Sequence, residues 1–375
     1  PRAAVRSLLE RLEIEVAEAG EGALALRVPP YRVDVRREAD VAEEVLRLWG
    51  FDKLEVSPHL RADFLSPFPP VEPLELQRRV GTTLTGAGYC EMWNNSLGRA
   101  DWAERLGHTD RRVQMLNPLS EDVHTLRTDL LFSGLEVVRR NVSYRQTELR
   151  LFEFGKTYAR REQGGYDESV RLALFVQGDQ QPESWRAKST PADFHDLAAT
   201  VVLVLEKLGA TGWTQEQVTD DPRFAYALLL TLNHRAVGTL GRVAPEWAAA
   251  VELKEAVYYA DLDWQYLAKR YHDAYTYQEV SRFPAVRRDL SLQLDAHVTF
   301  EAIQRLARRT ERKLLRDVNV FDVYEGENLG AAKKSYAVSF HLQDPNRTLQ
   351  EKEIDKTMKR LMAAFERELG AVIRR

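Results

Sequence analysis

Carboxylates crowd into the eleven positions 34–44 near the start of the sequence, among them Asp34, Asp40, Glu43 and Glu44. Hard oxygen donors at that density suit magnesium, which favours carboxylates and water. The same residues have a plainer use. Asp40 is placed to N-cap a helix beginning at Val41, with Glu43 at its third position, and both charges favour the positive end of the helix dipole. The sequence leaves both uses open. A second group, towards the end, is basic and aromatic: Arg287, Arg288, Phe321, Tyr324, Lys334 and Arg347. Rings stack on unpaired bases and arginines hold phosphates. Rings packed under helices and arginines on a solvated face are the competing roles.

Other chemistry is poorly supported. The single cysteine, Cys90, excludes a disulfide framework and a cysteine-rich zinc site. The eight histidines are scattered, with no His-x-x-x-His pair. The Gly-x-Gly at Gly86-Ala87-Gly88 leads to Glu91, and a carboxylate there repels phosphate. It reads as a helix stop. Arg150 and Glu153 read as an ion pair at the core edge, and Asp193 and Asp196 as helix caps.

The elements that must carry these residues form an α+β chain. Helix patterns cover Ala4–Leu12, Val41–Trp49, Leu76–Gly86, Asp129–Ser143 and Phe194–Leu208; Tyr31–Val35, Arg150–Phe154, Val170–Gln177 and Ala236–Gly241 read as strands. The proline-studded stretch Pro58–Pro73 reads as a linker. From Phe283 onward the order is clearest. Leu290, Leu292 and Leu294 alternate as in a strand, and Thr299 caps a helix. Val318–Tyr324 and Tyr336–Leu342 are strands, joined by a turn holding Gly326 and Gly330. Thr348 and Glu351 form a capping box before a long helix, and Ala371–Ile373 closes the chain. That β-α-β-β-α-β order is the ferredoxin-like arrangement.

Charge divides along the same boundary. The chain has 53 basic and 57 acidic residues, a net of −4. From Arg282 onward 19 Lys and Arg face 14 Asp and Glu, a net of +5, so the remainder carries 34 against 43, a net of −9. A basic module on an acidic body fits an RNA-facing end. The apolar runs Leu197–Leu205 and Phe224–Leu232 are far shorter than the roughly 20 residues of a membrane span. Cysteine usage fits a reducing, cytoplasmic setting. The sequence opens at Pro1 inside a helix pattern and reads as a piece of a longer protein.

The order of motifs resembles the β subunit of bacterial phenylalanyl-tRNA synthetase. The likeness begins with Pro29-Pro30-Tyr31-Arg32-Val33-Asp34, then Asp40, Glu43, Glu44 and Trp49-Gly50-Phe51. It continues through Gly88-Tyr89-Cys90-Glu91, Asn95-Ser96-Leu97 and Asn117-Pro118-Leu119-Ser120. Next come Leu126-Arg127-Thr128-Asp129-Leu130 and Leu151-Phe152-Glu153-Phe154-Gly155. The last motifs are Ser281-Arg282-Phe283-Pro284, Phe321-Asp322-Val323-Tyr324-Glu325-Gly326, Lys334-Ser335 and Arg347-Thr348-Leu349.

The resemblance implies part of an α2β2 ligase joining phenylalanine to tRNA(Phe) with ATP, the ATP being bound by the α subunit. It implies that Asp34, Asp40, Glu43 and Glu44 bind a magnesium ion shared with the α subunit. It further implies a carboxylate-bearing domain over 1–59, a linker over 60–74 and a non-catalytic class II synthetase-like core over 75–275. Residues 280–375 would be a ferredoxin-fold anticodon-binding domain. The chain alone would then be inactive, scaffolding the α subunit and touching tRNA. Two rivals are a freestanding RNA-binding protein and an active class II ligase.

Overall fold

The computed structural model describes residues 2–20, 22–56, 71–186, 188–272, 277, 279–326, 329 and 332–374. Most of the expected linker and Gly330 lie outside them. The N-terminal segment holds α1 (Arg2–Glu10), a hairpin of β1 (Glu15–Glu18) and β2 (Leu24–Arg27), and α2 (Glu38–Trp49). Tyr31–Val35 is not a strand. Two turns replace it, with Arg32 N donating to the Pro29 carbonyl at 3.0 Å and Val35 N to the Arg32 carbonyl at 3.3 Å. Pro29 and Pro30 have no amide to give a ladder, so the period-two pattern alone does not make a strand there.

The middle of the chain holds α3 (Pro73–Gly86), β3 (Cys90–Glu91), β4 (Leu97–Gly98), α4 (Ala100–Arg105), β5 (Val113–Gln114), β6 (Thr125–Leu126) and α5 (Leu131–Ser143). There follow β7 (Leu149–Arg160), β8 (Tyr166–Gln177), α6 (Phe194–Lys207), β9 (Thr214–Val218), β10 (Phe224–Leu232), β11 (Arg235–Val243), α7 (Pro245–Ala250), β12 (Val257–Leu262) and α8 (Trp264–Lys269). α3 stops where Gly86 was expected to stop it, and Gly88 takes φ +86°, which a glycine adopts without strain.

The described chain forms two compact units. One comprises 1–200, 222–225 and 241–264; the other 201–221, 226–240 and 265–375. In the first, β3, β7, β8 and β12 are successive sheet neighbours, β3 parallel to β7 and the rest antiparallel. Leu172 to Val176 of β8 are all fully buried, as a strand covered on both faces must be. α5 lies against β8 through Gly134, beside the Phe175 ring. In the second unit β9 pairs antiparallel with β10, and β11 is the next neighbour.

The second unit ends in β13 (Val286–Asp295), α9 (Phe300–Thr310), β14 (Leu315–Tyr324), β15 (Lys333–Leu342), α10 (Glu351–Leu369) and β16 (Val372–Arg374). The antiparallel order β14-β15-β13-β16 is that of the ferredoxin-like fold. One face packs α9 and α10 over Leu292, Leu294, Val338, Phe340 and Leu342, joined by Ile303, Leu306, Ile354, Leu361 and Phe365. Thr299 caps α9 as expected, accepting from Ala302 N at 3.3 Å. The α10 box is shifted by two residues, to Gln350 and Glu353, because the helix begins at Glu351 rather than beside Thr348.

Candidate carboxylate and nucleic-acid sites

Three of the four N-terminal carboxylates are engaged by arginines. α2 starts three residues earlier than expected, so Arg37 is its N-cap and Asp40 its third residue. The Asp40 carboxylate takes the amides of Arg36 and Arg37 at 3.0 and 2.8 Å, and the Arg37 guanidinium at 3.0 Å. One turn on, the Glu44 Oε2 accepts from Arg32 at 2.6 Å and from Arg47 at 2.7 Å. Asp34 lies 3.8 Å from the same Arg32, and Glu43 is exposed. Hydrogen bonds from the Arg37 side chain and then the two amides hold the Asp40 carboxyl at about 2. Those from Arg47 and then Arg32 hold Glu44 at about 2. Among the described residues no three His, Cys, Asp or Glu side chains are grouped as a metal needs. The donor set in this chain therefore does not fit a magnesium ion as it stands.

A pH dependence follows. A carboxyl depressed below its unfolded value near 4 stabilises the fold above that value, and the contribution fades as pH falls towards 2. Asp40→Asn should therefore lower the melting temperature at pH 6, and the gap from the native chain should narrow steadily between pH 5 and pH 2. Thermal melts across that range check it. A constant gap would show that the Asp40 charge is not what holds the cap.

In the first unit the family-like motifs serve a buried ionic network. Arg127 pairs with Glu153 at 2.8 Å, their side chains 8% and 3% exposed, and Asn94 adds a 2.8 Å bond to Glu153. Arg150 and Glu153 do not pair. Three positions apart on a strand they point to opposite faces, and Arg150 instead donates to the Gln180 carbonyl. Arg223 bridges Asp129 at 2.9 Å and Asp261 at 2.8 Å, while Arg171 holds Asp261 at 2.7 Å. Burial pushes the Asp129 carboxyl up, opposed mainly by Arg223. Asp261 is buried too, but Arg171 and Arg223 outweigh the burial and hold it down. Nothing in the sequence signals this cluster, whose members lie 94 and 38 positions apart. Nearby, a cavity of about 700 Å³ is walled by Arg99, Trp102, Arg127, Glu136, Arg139 and Glu252, a lining of mixed charge. Asp193 and Asp196 cap α6 as expected, through His195 N and Asp193 N.

In the ferredoxin-like module the register sorts the six candidates. Cross-strand partners share a face, and Arg287 stands opposite His341, away from the residues that pack the helices. Phe321 occupies a bulge between Val320 and Asp322, and the Arg287 guanidinium lies 5.0 Å from its ring centre. Tyr324, opposite Ser335, is on the same face and half-exposed. These three share the open face, Arg287 and Phe321 in contact and Tyr324 further along the strand. The other three do not join it. Lys334 is on the helix-covered side opposite Leu294, 9% exposed, with its ammonium 4.9 Å from the Tyr336 ring. Arg288 is opposite Phe340 and bonded to Glu351, and Arg347 makes two bonds to Glu353 at 2.6 and 2.7 Å. Among the described residues no helix is long and apolar enough to cross a membrane.

Comparison with known proteins accounts for all three regions. Residues 69–264 match the phenylalanyl tRNA synthetase beta chain CLM domain, 281–374 the ferredoxin-fold anticodon binding domain, and 1–51 the tRNA synthetase B5 domain. The phenylalanine–tRNA ligase beta subunit of Bacteroides fragilis strain YCH46 is 37% identical, covering 100% of this chain and 47% of its own length. That of Bacteroides thetaiotaomicron is 38% identical with the same two coverages, and that of Salinibacter ruber 34% identical over 95% of this chain and 45% of its own. The chain thus spans about half the length of these relatives. With the CLM match alone covering more than half of its residues, the chain belongs to the phenylalanyl-tRNA synthetase β-chain family.

Proposed function

We propose that the chain works as part of the β subunit of a phenylalanine–tRNA ligase, an enzyme that joins phenylalanine to tRNA(Phe) at the expense of ATP. The middle segment is read as a class II synthetase-like core without catalysis, bound to a catalytic α subunit in an α2β2 assembly that holds the ATP. The protein is read as cytoplasmic. Residues 281–374 are read as the tRNA-facing end. The observation that carries this is the open sheet face that Arg287, Phe321 and Tyr324 share, with the Arg287 guanidinium over the Phe321 ring. A half-exposed ring beside a guanidinium offers a base both a stacking surface and a phosphate partner. Arg287 would have to share its guanidinium with Asp289, which it holds by two bonds at 2.8 and 3.1 Å. Arg288, Lys334 and Arg347 would contribute only after leaving Glu351, Tyr336 and Glu353. A freestanding RNA-binding protein is not favoured, since the family match extends over the middle segment and not the end module alone. Magnesium enters this reading only as an ion whose remaining ligands come from the α subunit.

The test is tRNA(Phe) binding by the complex with its α subunit. Phe321→Ala should weaken affinity by roughly 5- to 150-fold, the range that one lost stacking contact commands. Arg287→Gln should weaken it less and flatten the dependence of log K on log salt by about 0.7–0.9. Unchanged affinity and slope in both variants would remove this face from tRNA recognition.

A further inference from the structure

Arg32 stands where the carboxylate cluster would need a cation. It is fixed from both ends. Its amide and carbonyl close the two turns that run from Pro29 to Val35, and Val35 is buried. Its side chain is 17% exposed, against 11% for the Glu44 carboxylate that it meets at 2.6 Å. The same guanidinium lies 3.8 Å from Asp34. One fixed positive charge is therefore shared by two of the four acids. Arg47 adds two bonds to Glu44, at 2.7 and 3.3 Å, but its side chain is half-exposed on α2, in contact with solvent that Arg32 is largely shielded from.

We propose that Arg32 is the resident counter-ion of this cluster, and that a divalent cation and the Arg32 guanidinium compete for Asp34 and Glu44. The physical ground is exclusion. A dication on Glu44 would sit within a few ångströms of the guanidinium, and like charges at that separation repel strongly where water is partly excluded. The carboxylate oxygen that accepts from Arg32 also has its lone pairs committed to two arginines. Asp40 offers no relief, because withdrawing it would strip the amides of Arg36 and Arg37 of their acceptor. The chain then holds its own charge balance without metal. A divalent ion gains the cluster only as Arg32 swings away. This departs from the ligand set that the family likeness implies, and it stands apart from the tRNA reading.

Magnesium and manganese titrations of the full 375-residue chain test it, by calorimetry and by the spin-resonance signal of free manganese. The native chain should bind either ion weakly. Arg32→Gln should bind roughly tenfold tighter, the worth of one charge-assisted hydrogen bond, and should gain a magnesium-dependent rise in melting temperature. Adding Glu44→Gln to that variant should abolish the gain. Arg47→Gln, which keeps Arg32, should gain less. If Arg32→Gln does not fold, Arg32→Lys keeps a charge but loses the planar fork, and should show a smaller gain of the same sign. Equal affinity in the native chain and whichever Arg32 variant folds overturns the proposal. So does a gain in Arg47→Gln as large as that in Arg32→Gln.

Discussion

Replacing Arg223 with methionine is expected to cost the first unit about 3–5 kcal/mol, the scale for removing one partner of a buried ion pair. Arg223 is the cation between Asp129 and Asp261, bonded to them at 2.9 and 2.8 Å. Asp261 would keep Arg171, but Asp129 would lose the charge that opposes its burial. Asp129 cannot turn away, because it also accepts the Leu131 amide at the start of α5. A domain stable by only 5–15 kcal/mol has little room for such a loss. Urea unfolding of the variant measures it. Adding Asp129→Asn should recover a good part, since the amide keeps an acceptor for Leu131 without the stranded charge. A loss below about 1 kcal/mol would mean that water reaches the cluster and screens it.

Gly134→Val should be nearly as damaging, for a steric reason. Gly134 sits in the middle of α5, where a Cβ would run into the Phe175 ring of β8. That ring has nowhere to go. It is fully buried, its centre is 4.7 Å from the Tyr259 ring, and Tyr259 is in turn stacked 5.8 Å from Phe224. Forcing added carbons into such a core costs about 1–3 kcal/mol and sometimes more. The expected result is a lower unfolding midpoint, with an unaltered slope against denaturant if the fold is retained. Gly134→Ala paired with Phe175→Leu provides the check. The two should offset one another in a double-mutant cycle, because the smaller side chain vacates the space that the methyl needs. Strict additivity would show that α5 shifts bodily instead.

The partners of Arg223 and Gly134 lie far away in the linear sequence, whereas the C-terminal module is specified by nearby residues. There the strand alternation of Leu290, Leu292 and Leu294, the Thr299 cap and the apolar repeat of the last helix are local signals, and the structure follows them. Local signals also failed in particular ways. Tyr31, Val33 and Val35 alternate like a strand, yet the segment turns, since a strand needs a neighbour's hydrogen bonds as well as a pattern. An aspartate ahead of an apolar run marks a helix start, but not whether it is the cap or the third residue. Asp40 proved the third.

Along the chain alone one can read the order of elements in the last module, its basic charge and the family to which the motifs point. Each of these depends on residues close together or on types counted along the chain. Which candidates share a face is settled by folding. A strand's neighbouring residues point to opposite sides, so the β13–β15 register sends Arg287 to the open face and Lys334 to the covered one. Only folding brings Arg32 onto Glu44, or Arg223 between Asp129 and Asp261. The reason is physical: a charge chooses its partner by distance through space, and burial then decides whether that partner is a luxury or a necessity.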